Sequence, residues 1–134
     1  MRHAGEKVLQ PAFYDRHRIR LEQERNDLQR AIRGAEEQLQ LLSAEGDDTF
    51  EERSSSDREL LLERSTKHRR RLKMVLRGLE RIRDGTFGVC VGCDGRIAAK
   101  RLHAIPSVQY CLRCQEQLER ERLTQAPCNI WASL

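Results

Sequence analysis

Aromatic residues are scarce in this chain of 134 residues: one Trp, two Tyr and three Phe, 4% of the whole. So few large apolar side chains exclude a bulky globular core, and a small fold of this composition needs another staple. No run of residues is apolar enough to span a bilayer. Met1-Arg2-His3-Ala4-Gly5-Glu6 has no apolar signal-peptide core, which points to the cytoplasm. Only three prolines interrupt the chain, which leaves room for long helices. No nucleophile–base pair, phosphate-cradling glycine loop or pair of catalytic carboxylates stands out, so an enzyme is not expected. Neither a helix-turn-helix nor a ladder of stacking aromatics is visible, which argues against sequence-specific contact with nucleic acid.

What the chain does have is cysteine in an informative pattern. Cys90-Val-Gly-Cys93 and Cys111-Leu-Arg-Cys114 are two C-x2-C knuckles separated by residues 94–110. Each knuckle can turn two thiolates toward one point, and the intervening stretch can bring the pairs together. Four sulfurs in a tetrahedron suit one structural Zn²⁺, whereas paired disulfides would require an oxidising compartment. Four thiolates leave zinc no open position for water, so the ion serves folding and not catalysis. His103 within the finger is not needed as a ligand, and Cys128 is expected to be a free thiol.

Residues 13–84 read as two long helices. Apolar positions recur at steps of four and three through Leu21, Arg25, Leu28, Ile32, Ala35, Leu39 and Leu42. They do so again through Leu61, Ser65, His68, Leu72, Val75, Leu79 and Ile82. This is the 3.5-residue period of a coiled-coil seam. Folded back so that opposed residue numbers sum to 100, the seams match large residues with large ones and set Ala35 against Ser65. The turn is then centred near Phe50. Gly46 suits a helix end, Ser56-Asp57-Arg58-Glu59 suits a capping box for the return helix, and Thr49-Phe50-Glu51-Glu52 is a rival box that would shorten the tip. Each arm would be roughly 45 Å long at 1.5 Å per residue.

The expected fold is therefore mainly α: a long antiparallel coiled-coil hairpin, a C-terminal four-cysteine zinc finger and a short terminal helix. Its segments are 1–12 (a flexible N-terminus), 13–84 (the hairpin, with an acidic tip near 45–55), 85–124 (the zinc-finger end) and 125–134 (a tail in which Trp131 packs on a helix base). Gln115 to Thr124 reads as the terminal helix, closed by Pro127. Glu45, Asp47, Asp48, Glu51 and Glu52 make the tip acidic around Phe50. Lys67, Arg69, Arg70, Arg71, Lys73, Arg77, Arg81 and Arg83 make the return arm basic. A solvated turn and a solvated face are the plain readings. The sharper ones are a tip that carries carboxylates into a narrow space, and a docking surface for an acidic protein or for phosphates.

The stretch Gly85-Thr86-Phe87-Gly88-Val89-Cys90-Val91-Gly92-Cys93 closely resembles the DksA/TraR family of bacterial transcription regulators, as do Ile97, Arg101-Leu102, Ala104, Pro106 and Cys111-Leu112-Arg113-Cys114-Gln115. Through the hairpin the resemblance extends over about residues 13–124. Asp94 stands where the family usually has Gly, and Asp tolerates a left-handed turn. The resemblance implies a factor that binds RNA polymerase directly, its coiled coil in the secondary channel, and changes open-complex stability and promoter output. A zinc-ribbon nucleic-acid-binding module and a coiled-coil protein adaptor are the alternatives. Counted back from Cys90 without a gap, the first of the family's two tip aspartates falls on Asp47, the second on Phe50, and the tip alanine on Glu52. Asp47, Asp48, Phe50 and Glu51 are the candidate tip contacts, and Lys67 and Arg101 match basic positions. The basic positions that in some members help bind the alarmone ppGpp fall on Met74, Ile105 and Gln115, so no such site is expected. The chain is expected to act as a monomer.

Overall fold

The computed structural model describes residues 10–44 and 51–125. Two helices of 34 residues each, α1 (Pro11–Ala44) and α2 (Glu51–Asp84), lie against each other as an antiparallel hairpin. Helix α1 opens on Pro11, whose fixed φ and missing N–H suit a first helical position. Every expected seam position is buried or half-buried, from Leu21 to Leu42 and from Leu61 to Ile82. Contacts across the hairpin bracket the expected register: Gly78 against Leu21, Arg71 on Glu24, Arg69 on Glu36 and Arg58 on Ser43.

The return helix begins at Glu51, five positions before the expected start at Ser56. The reason is helix propagation: once a turn exists, each further residue adds a hydrogen bond, and this outweighs the competing cap that Ser56 could make. Asp47, Asp48 and Phe50 of the expected tip lie outside the described residues, as do Gly46, Cys128 and Trp131.

Beyond α2 the chain turns through Gly85 (φ 77°) and Gly88 (φ 85°), left-handed conformations that glycine adopts at little cost. An isolated antiparallel bridge joins Val89 to Arg96 around the first knuckle. A six-residue helix, α3 (Ala99–Ala104), follows, and α4 (Leu112–Gln125) starts inside the second knuckle. Helix α3 was not expected from the sequence, because a single turn and a half shows no usable period.

The core is concentrated where the finger meets the base of the rod. Leu21 and Val75 from the hairpin pack with Phe87, Cys90, Ile97 and Leu102 from the finger, flanked by Phe13, Tyr14, Leu79, Ile82 and Val108. Gly78 allows this junction to close. A Cβ there would stand 3.2 Å from Leu21 Cδ1 and 3.6 Å from the Cα of buried Ser107, so any side chain on α2 at this point would press on Leu21.

Candidate metal centre

The sequence around each knuckle dictates a tight local turn. Asp94 N donates to Cys90 O at 3.0 Å, and Cys90 N donates to Gly95 O at 2.7 Å, which closes the first loop on itself. Asp94 takes φ 58°, the left-handed conformation that Asp tolerates. Val91 N donates to Gln109 O at 2.9 Å and so docks the first knuckle on the segment entering the second. In the second knuckle, Gln115 N donates to Cys111 O at 2.9 Å, the opening turn of α4.

These turns bring all four sulfurs, of Cys90, Cys93, Cys111 and Cys114, within 4.8 Å of one another. Cys93 Sγ and Cys111 Sγ are 3.8 Å apart. Sulfurs held about 2.3 Å from a tetrahedral zinc are separated by about 3.8 Å, so the spacing fits the ion. Glycine makes the approach possible: a Cβ on Gly92 would meet Cys114 Sγ at 3.1 Å, and one on Gly95 would meet Cys93 Sγ at 3.2 Å. The donor set matches as well. Four thiolates and no other ligand type make a closed structural zinc site, with no coordination position for a substrate.

The cluster is electrostatically uneven. Cys90 is buried, which by itself would raise its pKa. The backbone N–H groups of Cys111, Cys93 and Gly92 that face its sulfur more than offset this and bring it down to about 6. Two of these contacts are Cys111 N to Cys90 Sγ at 3.2 Å and Gly92 N to Cys90 Sγ at 3.4 Å. Cys114, beside Cys111 and Cys90, is instead pushed up to about 12, because each neighbouring sulfur resists another negative charge. Cys90, in the backbone N–H cradle, is thus the sulfur best prepared to carry negative charge, and a divalent ion held by the four sulfurs would offset the repulsion that raises Cys93 and Cys114.

The remaining candidate residues are dispersed. Lys67 lies exposed on the rod and pairs with Glu63 at 3.1 Å, a helical i,i+4 contact. Arg101 is half-buried in α3, and its Nε donates to Tyr110 O at 3.1 Å, inside the finger. Glu51 is the first residue of α2. Met74 and Ile105 are exposed and Gln115 is half-buried. Sequence reading missed the part played by Arg81, placed there among the basic residues of α2. Its Nη2 turns inward and donates to Thr86 O at 2.9 Å and to Val89 O.

Comparison with known proteins agrees with this geometry. The prokaryotic dksA/traR C4-type zinc finger matches residues 85–120. An uncharacterized protein of Aquifex aeolicus is 43% identical over 56 residues, 42% of this chain and 39% of its own length. The RNA polymerase-binding transcription factor DksA of Escherichia coli K12 is 28% identical over 117 residues, 86% of this chain and 77% of the relative. Among solved structures, transcription factor DksA2 from Pseudomonas aeruginosa superposes with a TM-score of 0.78 at 23% identity, covering 90% of this chain and 93% of that one. That likeness shows the shared fold of hairpin and finger.

Proposed function

We propose, from its likeness to the DksA/TraR family in finger and rod, that this chain regulates bacterial transcription in the cytoplasm by binding RNA polymerase directly. The observation that carries the reading is the extent of the likeness to DksA. It runs through the rod as well as the finger, over 86% of this chain. A zinc finger alone would be compatible with many partners, but a finger at the base of a bare two-helix rod is a shape made to reach into something. Each arm of 34 residues is about 50 Å long, narrow enough for a channel closed to a globular domain. In this reading the coiled coil enters the secondary channel, and Asp47, Asp48, Phe50 and Glu51 at its end meet the polymerase near its active centre.

The ion pairs narrow down the basic contacts. Lys67, Arg69 and Arg71 are engaged by Glu63, Glu36 and Glu24. Arg70, Lys73 and Arg77 are exposed and have no acidic partner among the described residues. Spaced i, i+3 and i+7, they share one face of α2 with exposed Leu76, a surface suited to an acidic wall with apolar breaks. Met74, Ile105 and Gln115 cannot supply cationic charge for a phosphate-rich alarmone, so the polymerase complex forms without a ppGpp site on this chain. No catalysis belongs to this reading.

Competition binding tests it: core RNA polymerase, a labelled channel-binding factor, and duplex DNA as control. Displacement by this protein, weakened about tenfold or more in the Arg70→Glu/Lys73→Glu/Arg77→Glu variant and with no retention of DNA, is expected. Absence of displacement together with salt-sensitive DNA binding would overturn it in favour of a nucleic-acid module.

A further inference from the structure

Two arginines from different helices make the same contact on the two halves of the metal centre. Arg81, in the last turn of α2, sends Nη2 to the carbonyl oxygen of Val89, the residue immediately before Cys90. Arg101, in α3, sends Nε to the carbonyl oxygen of Tyr110, the residue immediately before Cys111. Each knuckle is therefore held from outside at the peptide unit that enters its first cysteine. Neither contact touches a sulfur, and both arginines are half-buried.

The Arg81 contact is the more elaborate. The same Nη2 also reaches Thr86 O at 2.9 Å, while the backbone carbonyl of Arg81 accepts from Thr86 N at 3.0 Å and from Phe87 N at 3.1 Å. One residue of the rod thus grips both ends of the turn that leads into Cys90. Hydrogen bonds from an ionised donor to a carbonyl are among the stronger ones, and outside the water they fix orientation as well as proximity.

We propose that Arg81 and Arg101 are positioning residues of the metal centre, each fixing the first cysteine of one knuckle through the peptide carbonyl before it. Arg81 in addition makes the orientation of the zinc site a property of the rod. The two knuckles are otherwise linked through Val91 N to Gln109 O and Cys111 N to Cys90 Sγ. The arginines therefore set the frame within which those short contacts, and the tetrahedron, close. This role does not depend on what the rod binds.

The experiment uses the full chain loaded with Zn²⁺ or Co²⁺. Zinc release to a chelating dye is timed, the visible bands of the cobalt form are recorded, and helix content is followed by circular dichroism. Arg81→Met and Arg101→Met are expected to release zinc about tenfold faster or more, the range seen when groups that orient metal ligands are removed. Shifted or broadened cobalt bands and an unchanged helix content should accompany this. Arg81→Lys, which keeps one donor but not the planar fork, should restore part of the slow release. Arg33→Met, on the exposed face of α1, serves as control. Release at the unaltered rate with unaltered cobalt bands in both Met variants overturns the proposal. So does faster release that only parallels a loss of helix and is not improved by Arg81→Lys, since that is general destabilisation.

Discussion

Along the rod, order comes from repetition, and each layer contributes little. At the finger a single ion and a handful of contacts carry nearly all of it. The rod's seam admits Arg25, Ala35, Ser65 and His68 among its leucines, so half of its layers are not fully apolar, and α2 exposes Leu60, Leu62 and Leu76 to solvent. In the finger, fully buried Leu102 and Cys90 and nearly buried Phe87 and Ile97 form a core with Leu21 and Val75 of the rod's base. One region tolerates change because its stability is spread out. The other is sensitive because its stability is concentrated.

Removing zinc should expose that difference most sharply. Structural zinc in small fingers has an apparent binding free energy of about 10–16 kcal/mol, and the finger has too few apolar residues to replace it. Chelation should abolish near-ultraviolet signals from Tyr14 and Tyr110 at the junction while most far-ultraviolet helix signal from α1 and α2 remains. Equal loss of both signals would show that the rod borrows its order from the metal, and the contrast between the regions would fail.

Next in size is a pair of leucine truncations. Leu21, with no exposed surface, fills the junction, whereas Leu39 is only half-buried further along the same seam. Leu21→Ala should cost about 3 kcal/mol and Leu39→Ala about 1 kcal/mol in denaturant unfolding, reflecting how much packing each loses. Comparable losses would mean that the distal layers are as tightly specified as the base.

A smaller test uses glycine. A Cβ on Gly34 would meet nothing within 4 Å, so Gly34→Ala should stabilise the helix by about 0.5–1 kcal/mol. At Gly78 the same added methyl would crowd Leu21 and Ser107, and the helical gain should be cancelled or reversed. Melting temperatures that rise equally for both would show that the junction yields more readily than its geometry indicates.

The sequence made some of this plain and hid the rest for physical reasons. Cysteine spacing identifies the zinc ligands because a metal demands four donors at fixed separation, and so few residue types can supply them. The seam and its register are legible because a 3.5-residue period repeated over six opposed layers leaves little ambiguity. Helix α3 was hidden by its length. The division of labour among the arginines was hidden because cations on one helix look alike until the fold assigns them: Arg71 to Glu24, Arg81 to the finger's carbonyls, and Arg77 to neither. The start of α2 at Glu51 rather than Ser56 reflects propagation of the helix past the Ser56 cap, which a local capping pattern does not reveal.

The smallest expected effect is a pH dependence at the same junction. His17 is 3% exposed and packs its ring at 4.4 Å from Phe13 and 5.6 Å from Phe87. Burial lowers its pKa below the usual 6.5, and Arg20, His103 and Arg16 nearby push in the same direction. The folded protein therefore holds His17 neutral, while the unfolded chain takes up a proton as pH falls through 6.5. The unfolded state binds more protons in that window, so stability from this residue is complete above about pH 6.5 and declines as pH drops toward the lowered folded value. Protonation of cysteine thiols will also weaken zinc binding in acid, so the measurement must be a difference. His17→Leu removes the titrating ring and keeps an apolar side chain against Phe13 and Phe87. The fall in melting temperature between pH 7.5 and 5.5, in saturating zinc, should be shallower in the variant than in the parent. Identical slopes would show that His17 contributes nothing to the acid sensitivity and that its burial between Phe13 and Phe87 does not make the junction respond to pH.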